Sequence, residues 1–135
     1  MDRTAYLTNL IGRPWSTDQS CWHLARDVQQ EVFGRDLPMV EVPPDASWRW
    51  MIDTIAGHRE HQQWREVAYA PGRIITAPDG ALVLMARVTQ SAHIGVWLAS
   101  EAAILHADPV AGVALEPPVK LRARGWSRLR FHEPV

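Results

Sequence analysis

The chain is poor in several features that would define its class directly. It has one cysteine in 135 residues, so it has no disulfide framework, and the thiol of Cys21 is either core packing or a nucleophile. The formal net charge is −1, which excludes a strong overall attraction to nucleic acid or to an anionic membrane surface. No apolar run approaches the roughly 20 residues of a membrane-spanning helix. We therefore expect no nucleic acid partner and no membrane span.

The composition is that of an ordinary globular protein, with 47% hydrophobic and 21% charged residues. A length of 135 residues suits one domain with its own core, so residues 1–135 are treated as a single domain. Helical patterns come first and strand patterns follow, which predicts an α+β fold with N-terminal helices packed on a central antiparallel sheet. The predicted helices are Thr4–Leu10, Ser20–Phe33 and Ala46–Trp64, and the predicted strands are Gly80–Val88, Ala92–Leu98, Ala102–His106, Gly112–Leu115 and Trp126–Phe131.

Cys21 lies at the start of the second predicted helix. Residues Ser16–Ser20 supply turn and capping side chains, and Leu24 and Val28 then recur at helical spacing until Gly34 ends the pattern. The unpaired N–H groups and the dipole of a first helical turn favour a thiolate over a thiol. We therefore expect a reactive cysteine with a lowered pKa. A buried, inert cysteine is the alternative.

Two histidines are predicted to meet on one hairpin. Folding the stretch about Ala99-Ser100 places Val96 opposite Ala103 and His93 opposite His106. Opposed side chains of an antiparallel pair have Cβ atoms about 4.5–5.5 Å apart. A thiol, a histidine base and a second polar group that orients the base together form a nucleophile–base–orienter arrangement. The sequence thus predicts nucleophilic catalysis.

Several motifs, in order along the chain, resemble those of a known family. Residues 20–24, Ser-Cys-Trp-His-Leu, stand where that family has Asp-Cys-(Ser or Trp)-Gly-Leu. Residues 80–85 resemble its Gly-Asp-Leu-Val-Leu-Phe strand, residues 93–97 its His-(Val or Ile)-Gly-Ile-Tyr strand and residues 104–107 its following Val-His-Ala. The family is the NlpC family of cell-wall cysteine peptidases, and residues 11–15 are close to the opening of its phage-tail branch.

The resemblance covers roughly residues 5–132 and implies a papain-like fold and a cysteine hydrolase. It implies Cys21 as nucleophile, His93 as base and His106 as orienter, with no metal or organic cofactor. The residues expected to contact substrate are Trp15, Ser20, Trp22 and Trp97. Trp97 is included because it shares the predicted face of His93, and ordinary core packing is the alternative for it.

The chain also departs from the family pattern. Ser20 replaces the usual Asp, His23 replaces a common Gly, and Trp15 stands in place of a tyrosine associated with the oxyanion site. In characterised relatives the residues flanking the nucleophile help to hold the free amine of the substrate's L-alanine. The departures at Ser20 and Trp22 therefore leave that specificity open.

The implied substrate is a peptidoglycan stem peptide, often cleaved between D-glutamate and a diamino acid. Because the start of the chain does not read as a secretory signal, we expect delivery by a phage or phage-like tail, with tail-tip or baseplate proteins as partners and the host wall as the place of action. Two alternatives remain. One is a catalytically degenerate adaptor or plug at a tail tip, and the other is a thiol-dependent acyltransferase or amidase with a non-wall substrate.

Weaker candidates lie elsewhere in the sequence. His58 and His61 are three residues apart on a predicted helix and could share a metal ion, but a solvated helix face is the better interpretation. The basic residues of 120–130 could bind an anionic polymer or a partner, or form a solvent-facing strand. Trp48 and Trp50 cannot face the same way on a helix, so we expect one of them to be exposed.

Overall fold

The structure is a computed structural model that describes all residues, 1–135. Its helices are α1 (Arg3–Leu10), α2 (Cys21–Phe33), α3 (Trp48–Gly57) and α4 (Pro118–Ala123), with a 3₁₀ turn at Arg59–Gln63. Its strands are β1 (Trp64–Val67), β2 (Leu82–Ala86), β3 (Ser91–Leu98), β4 (Ala103–Asp108), β5 (Gly112–Glu116) and β6 (Arg128–Pro134). The strands form one antiparallel sheet in the order β1-β6-β2-β3-β4-β5. The predicted α+β class is confirmed, and no helix is long and apolar enough to cross a membrane.

Helix α2 covers one face of the sheet. Ser20 is its N-cap, and Gly34 ends it with a positive φ of 66°, a conformation that glycine adopts without strain. Its buried side chains, among them Leu24 and Val28, join the inward side chains of β3 in the helix-facing core. The β3 members of that core are Ile94, Val96 and Leu98.

The opposite face of the sheet carries a second core. Strand alternation turns the intervening β3 residues toward it, so Trp97 packs there edge-on against Phe131, with ring centroids 5.4 Å apart. Trp126, 2% exposed, and Leu121 cover this side from the C-terminal segment. Because both faces are covered, β4 is buried along its whole length.

The third predicted helix is too long, and two elements were not predicted. The structure ends α3 at Gly57, and the extended backbone of His58 then starts the 3₁₀ turn, where its Nδ1 accepts the Glu60 amide at 3.0 Å. Trp64 therefore begins β1, which pairs with β6. Helix α4 starts at Pro118, a residue suited to a first helical position, so the basic run is partly helical and not one solvent-facing strand.

The predicted hairpin register is wrong by two residues. The structure pairs Val96 with Leu105 and Leu98 with Ala103, because the turn uses four residues, 99–102, instead of two. Asp79 fixes this turn by accepting the Ala99 amide at 2.8 Å while it accepts hydrogen bonds from Nη1 and Nη2 of Arg3 at 2.6 and 2.8 Å. A shift of two residues preserves the strand alternation. The predicted shared face of the two histidines is therefore confirmed, although they are diagonal neighbours.

Candidate active site

Four side chains form a hydrogen-bonded chain on the sheet face opposite α2, which we call the histidine relay. His93 Nε2 lies 2.9 Å from His106 Nδ1, and His106 Nε2 lies 2.6 Å from Glu116 Oε2. Arg124 donates to the same carboxylate oxygen at 2.9 Å. His106 is completely buried, and His93 and Glu116 are each 4% exposed. A polar chain so deeply buried is costly unless each member is partnered, and the relay provides those partners.

The sheet brings the relay together from three strands. His93 stands near the start of β3, His106 is on β4, and Glu116 ends β5 directly opposite Ile104. Gly95 makes the approach possible, since a Cβ at that position would lie 2.6 Å from Ile104 Cγ2 and 3.3 Å from His106 Cβ. The missing side chain at Gly95 thus lets β4 pack against β3 next to the imidazole pair.

The hydrogen bonds determine where the protons of the relay lie. The ionised carboxylate of Glu116 can only accept hydrogen bonds, so it accepts one from Arg124 and a second from His106 Nε2–H. A neutral His106 then presents an unprotonated Nδ1, which accepts from His93 Nε2–H. His93 Nδ1 is left with a lone pair and no hydrogen-bond partner. This is the arrangement of a general base.

The electrostatics keep both rings neutral. Burial, together with the smaller effect of the neighbouring His106, lowers the pKa of His93 to about 3. Burial also lowers the pKa of His106, although the hydrogen bond to Glu116 opposes that effect. For Glu116, burial acts to raise the pKa, but the hydrogen bonds from His106 and Arg124 outweigh it and hold the pKa below its ordinary value. The relay therefore carries an ionised carboxylate and two neutral imidazoles.

The expected low pKa of Cys21 is wrong for this conformation. Cys21 occupies the first turn of α2 as predicted, but it is only 1% exposed, and burial raises its pKa to about 11. Hydrogen bonds from backbone groups of Ile94, Trp22 and Cys21 to the sulfur act to lower the pKa and do not compensate. Desolvation thus exceeds the effect of the helix start. No hydrogen bond joins the thiol to a histidine, although its backbone partner Ile94 directly follows His93.

Two neighbouring cavities open beside these groups. The first, which we call the thiol cavity, has a volume of about 70 Å³ and is lined by Cys21 and mainly apolar side chains such as Trp22 and Trp50. The second, which we call the histidine cleft, has a volume of about 230 Å³ and contains His93 in its wall. Met51 lines both cavities. The nucleophile candidate and the base candidate therefore face adjoining spaces.

The expected substrate-contacting residues are divided among different environments. Trp15 lines the histidine cleft. Trp22 lines the thiol cavity and donates its indole N–H to the Pro38 carbonyl at 2.8 Å. Trp97 belongs to the second core and lines neither cavity.

Ser20 has a structural role at the start of α2. It is completely buried, and its Oγ lies 2.8 Å from Nδ1 of His23, which also accepts the Ser20 amide at 3.4 Å. Together the two residues form a capping box at the start of α2. His23 therefore caps the start of α2.

The weaker candidates acquire structural partners. His61 Nε2 lies 2.5 Å from the Ile55 carbonyl, and His58 caps the 3₁₀ turn. No group of three or more His, Cys, Asp or Glu side chains is arranged to hold a metal ion. Trp48 is the exposed member of the tryptophan pair, with half of its surface accessible, as expected.

Glu116 and Arg124 were not identified from the sequence. The only sequence signal for Glu116 is its place as an acidic residue at the end of an apolar stretch. The same pattern is typical of a strand whose end leaves the core, so it does not by itself indicate a functional residue. Arg124 lay within the basic run that was interpreted as surface. Their connection to His106 depends on the β4–β5 register and on α4 turning Arg124 back toward the sheet.

No protein-family model matches the chain, and no curated protein matches its sequence.

Proposed function

We propose that this protein is a cysteine amide hydrolase of papain-like fold, with Cys21 as nucleophile and the histidine relay as its base. The observation that carries the proposal is the hydrogen-bonded order of the relay, which leaves His93 Nδ1 with a free lone pair at a cleft adjoining the thiol cavity. A general base needs this free lone pair, and a buried carboxylate behind a second imidazole stabilises the imidazolium that forms when the base takes a proton.

The reaction begins from a neutral thiol and a neutral imidazole. His93 Nδ1 takes the proton of Cys21 as the sulfur attacks the amide carbonyl carbon, forming a C–S bond. The negative oxygen of the tetrahedral intermediate lies near the backbone N–H groups at the start of α2, which are suited to stabilise it. When the C–N bond breaks, His93 returns the proton to the leaving amine. Water, deprotonated by His93, then hydrolyses the thioester and restores the thiol.

The reaction requires Cys21 and His93 to approach each other when substrate binds. Catalytic hydrogen bonds are often long or poorly aligned before substrate is present. Met51 lines both cavities, so we propose that its flexible side chain moves when substrate spans them.

Peptidoglycan stem peptide is the substrate we propose, on the strength of the motif resemblance. The same resemblance supports a place at the tail of a phage or phage-like particle, attached through tail-tip or baseplate proteins and acting on the host wall. The proposed chemistry needs no metal or organic cofactor, because the thiol supplies the nucleophile and the relay moves the proton.

The test is the release of soluble peptide fragments from purified sacculi. Cys21→Ala and His93→Ala should each reduce release by at least about 10³-fold, because each removes a group that acts at the reacting atoms. His106→Ala should leave weak activity, since His106 only orients the base. Ser100→Ala, in the exposed hairpin turn, is the matched control and should retain full activity. Equal release by wild type and Cys21→Ala would refute the proposal.

A second candidate, a catalytically inactive tail-tip adaptor, is favoured by one observation. The thiol has a raised pKa and no hydrogen bond to a histidine. In this case wild-type protein releases nothing from sacculi, and particles that carry Cys21→Ala infect as well as wild-type particles. Normal assembly of the mutant particles with poor infection through an intact wall would favour the enzyme.

A further inference from the structure

Helix α3 contributes to the walls around both candidate catalytic groups. Trp48 and Met51 line the histidine cleft, and Trp50 and Met51 line the thiol cavity. Cys21 and His93, which line these two spaces, are both buried. A thiol and a base that are buried in this way cannot reach the carbonyl of a peptide, so part of the covering structure has to move before the proposed reaction can begin.

The first turn of α3 also covers the aromatic stack on His93. Trp126 stacks on the imidazole with ring centroids 5.0 Å apart and planes 18° apart, and Trp48 stacks on Trp126 at 6.2 Å. Trp126 is buried, whereas half of the surface of Trp48 is accessible, so Trp48 is the outer ring of this stack. Movement of α3 therefore uncovers Trp126 and the cleft beside His93.

Helix α3 is weakly attached to the rest of the molecule. It has one buried residue, Ile52, whereas α2 has five. Its ion pair, between Arg49 and Asp53, lies within the helix. The hydrogen bond that its side chains make outside the helix runs from Arg49 Nη1 to Gln90 Oε1 at 3.5 Å, which is longer than is usual for such a bond. Elements with few buried apolar contacts open at a low cost in free energy, and active-site lids are drawn from them.

The chain before α3 can absorb a movement of the helix. It is anchored at Pro38, whose carbonyl accepts the indole N–H of Trp22 at 2.8 Å. Residues 39–46, which follow this anchor, form no helix or strand. The backbone hydrogen bond within this stretch, from the Ala46 amide to the Pro43 carbonyl, is local and ties it to no other element. Residues 39–46 are therefore suited to act as a hinge.

We propose that α3 is a lid, which closes over Cys21 and His93 in the resting protein and moves away from the sheet to admit substrate. The identification of the uncovered groups as catalytic rests on the proposed function, whereas the movement itself does not. Because only molecules with an open lid admit substrate, the open fraction sets the apparent affinity for it. The lid thus regulates access to the site.

Alkylation of Cys21 by iodoacetamide at pH 8, in urea concentrations below those that unfold the protein, measures the opening. Urea promotes an opening in proportion to the surface that the opening exposes. Because the lid covers only part of the core, we expect the logarithm of the labelling rate, expressed as a free energy, to rise with a slope less than about half that of global unfolding. A slope equal to that of global unfolding, or a rate independent of urea, would overturn the proposal.

Two buried aliphatic residues separate lid opening from general loosening of the fold. Ile52→Ala removes the buried residue of α3 and should speed labelling in the absence of urea at least about 10-fold. Leu7→Ala removes the buried residue of α1 and is the matched control. It should lower the global unfolding free energy and leave the labelling rate unchanged. Equal acceleration in both variants would show that Cys21 becomes accessible by general unfolding, and the lid would be rejected.

Hydrogen exchange of backbone amides gives a second measurement that does not depend on the thiol. A ten-residue helix is not stable alone in water, so α3 loses its internal hydrogen bonds when it leaves the sheet. Its amides should therefore exchange with the same urea slope as the labelling of Cys21 and should be accelerated by Ile52→Ala. Exchange of the α3 amides only through global unfolding would also contradict the lid.

Both measurements detect the lid without turnover, so they can fail independently of the sacculus assay. An opening lid without release of peptide fragments would leave a gated pocket on an inactive domain. Release of fragments without lid opening would leave an active hydrolase whose substrate enters by another route, and the lid proposal would be wrong.

Discussion

The two faces of the sheet bury their ionisable groups in different ways. On the α2 side, Cys21 is surrounded by apolar side chains and is hydrogen-bonded only by backbone groups. On the opposite side, His93, His106 and Glu116 are equally buried but form a continuous chain that ends at Arg124. A thiol can be buried as a neutral group at little cost, whereas a carboxylate has to be paired.

Because of this difference, the two faces of the sheet contribute different groups to the proposed reaction. The apolar face keeps the Cys21 thiol protonated, because burial disfavours its thiolate. The polar face keeps a base neutral and its free nitrogen available, because Glu116 and His106 fix the proton positions. Before substrate binds, the structure therefore favours a neutral Cys21 thiol and a neutral His93 ring over a thiolate–imidazolium ion pair. In the proposed reaction, the proton transfer therefore accompanies attack on the substrate.

Removal of the relay carboxylate should have the largest effect on stability. Glu116→Ala removes the carboxylate partner of His106 and leaves Arg124 with only its longer contact to Asp108 at 3.4 Å, and breaking a buried pair costs about 3–5 kcal/mol of unfolding free energy. Cys21→Ala, on the apolar face, should cost only about 1 kcal/mol. Urea unfolding at 10 °C measures both, and Glu116→Gln, which keeps an acceptor for His106, should fall between them. Similar losses for Glu116→Ala and Cys21→Ala would contradict the contrast between the faces.

The polar face should also make stability depend on pH. Folded His93 stays neutral down to about pH 3, whereas an unfolded histidine takes up a proton near pH 6.5. The unfolded chain therefore binds more protons between these values, and the unfolding free energy falls as the pH falls through that window. One such proton contributes up to about 1.4 kcal/mol per pH unit.

Urea unfolding of wild type at pH 7, 6 and 5 measures this slope. His93→Gln should reduce the slope of the unfolding free energy against pH by the contribution of about one proton. Cys21→Ala should keep the wild-type slope, since the thiol does not titrate in this range. An unchanged slope in His93→Gln would show that the folded protein protonates this ring as readily as the unfolded chain does.

Adding a methyl group at Gly95, where β3 and β4 approach each other, should lower stability by a smaller amount. Gly95→Ala places a Cβ 2.6 Å from Ile104 Cγ2 and 3.0 Å from the Leu105 carbonyl oxygen. Such overpacking costs about 1–3 kcal/mol and should separate His93 from His106, lowering activity as well. Gly57→Ala, where nothing lies within 4 Å of the added Cβ, is the matched control and should be neutral or slightly stabilising. A Gly95→Ala protein as stable and active as the control would show that the strands tolerate a wider spacing.

The smallest expected effect is on the rate at which the Cys21 thiol of the folded protein is alkylated. With a pKa of about 11, about one thiol in a thousand is ionised at pH 8 in the folded protein. Iodoacetamide should therefore label Cys21 slowly between pH 6 and pH 8, as followed by mass spectrometry, and rapidly at pH 8 once urea unfolds the chain. Rapid labelling of the folded protein at pH 6 would indicate a preformed ion pair with His93 and contradict the neutral resting state.

Much of the helix and strand pattern was accessible from local signals. Ser20 and Gly34 mark the ends of α2, and the alternation in 93–98 predicts which side chains of β3 share a face. Errors arose where local signals were weak. The sequence signal for a helix continued past Gly57, and β1 exists because β6, far along the chain, supplies its partner.

By itself, the sequence determined the α+β order, the place of Cys21 at a helix start and the common face of His93 and His106, because helical and strand periodicities are local properties. Only the tertiary structure decided the four-residue hairpin turn, which depends on Asp79 and Arg3 from distant segments. It also decided the proton order of the relay. Burial and hydrogen-bond partners set a pKa, and both depend on which residues the folded chain brings together.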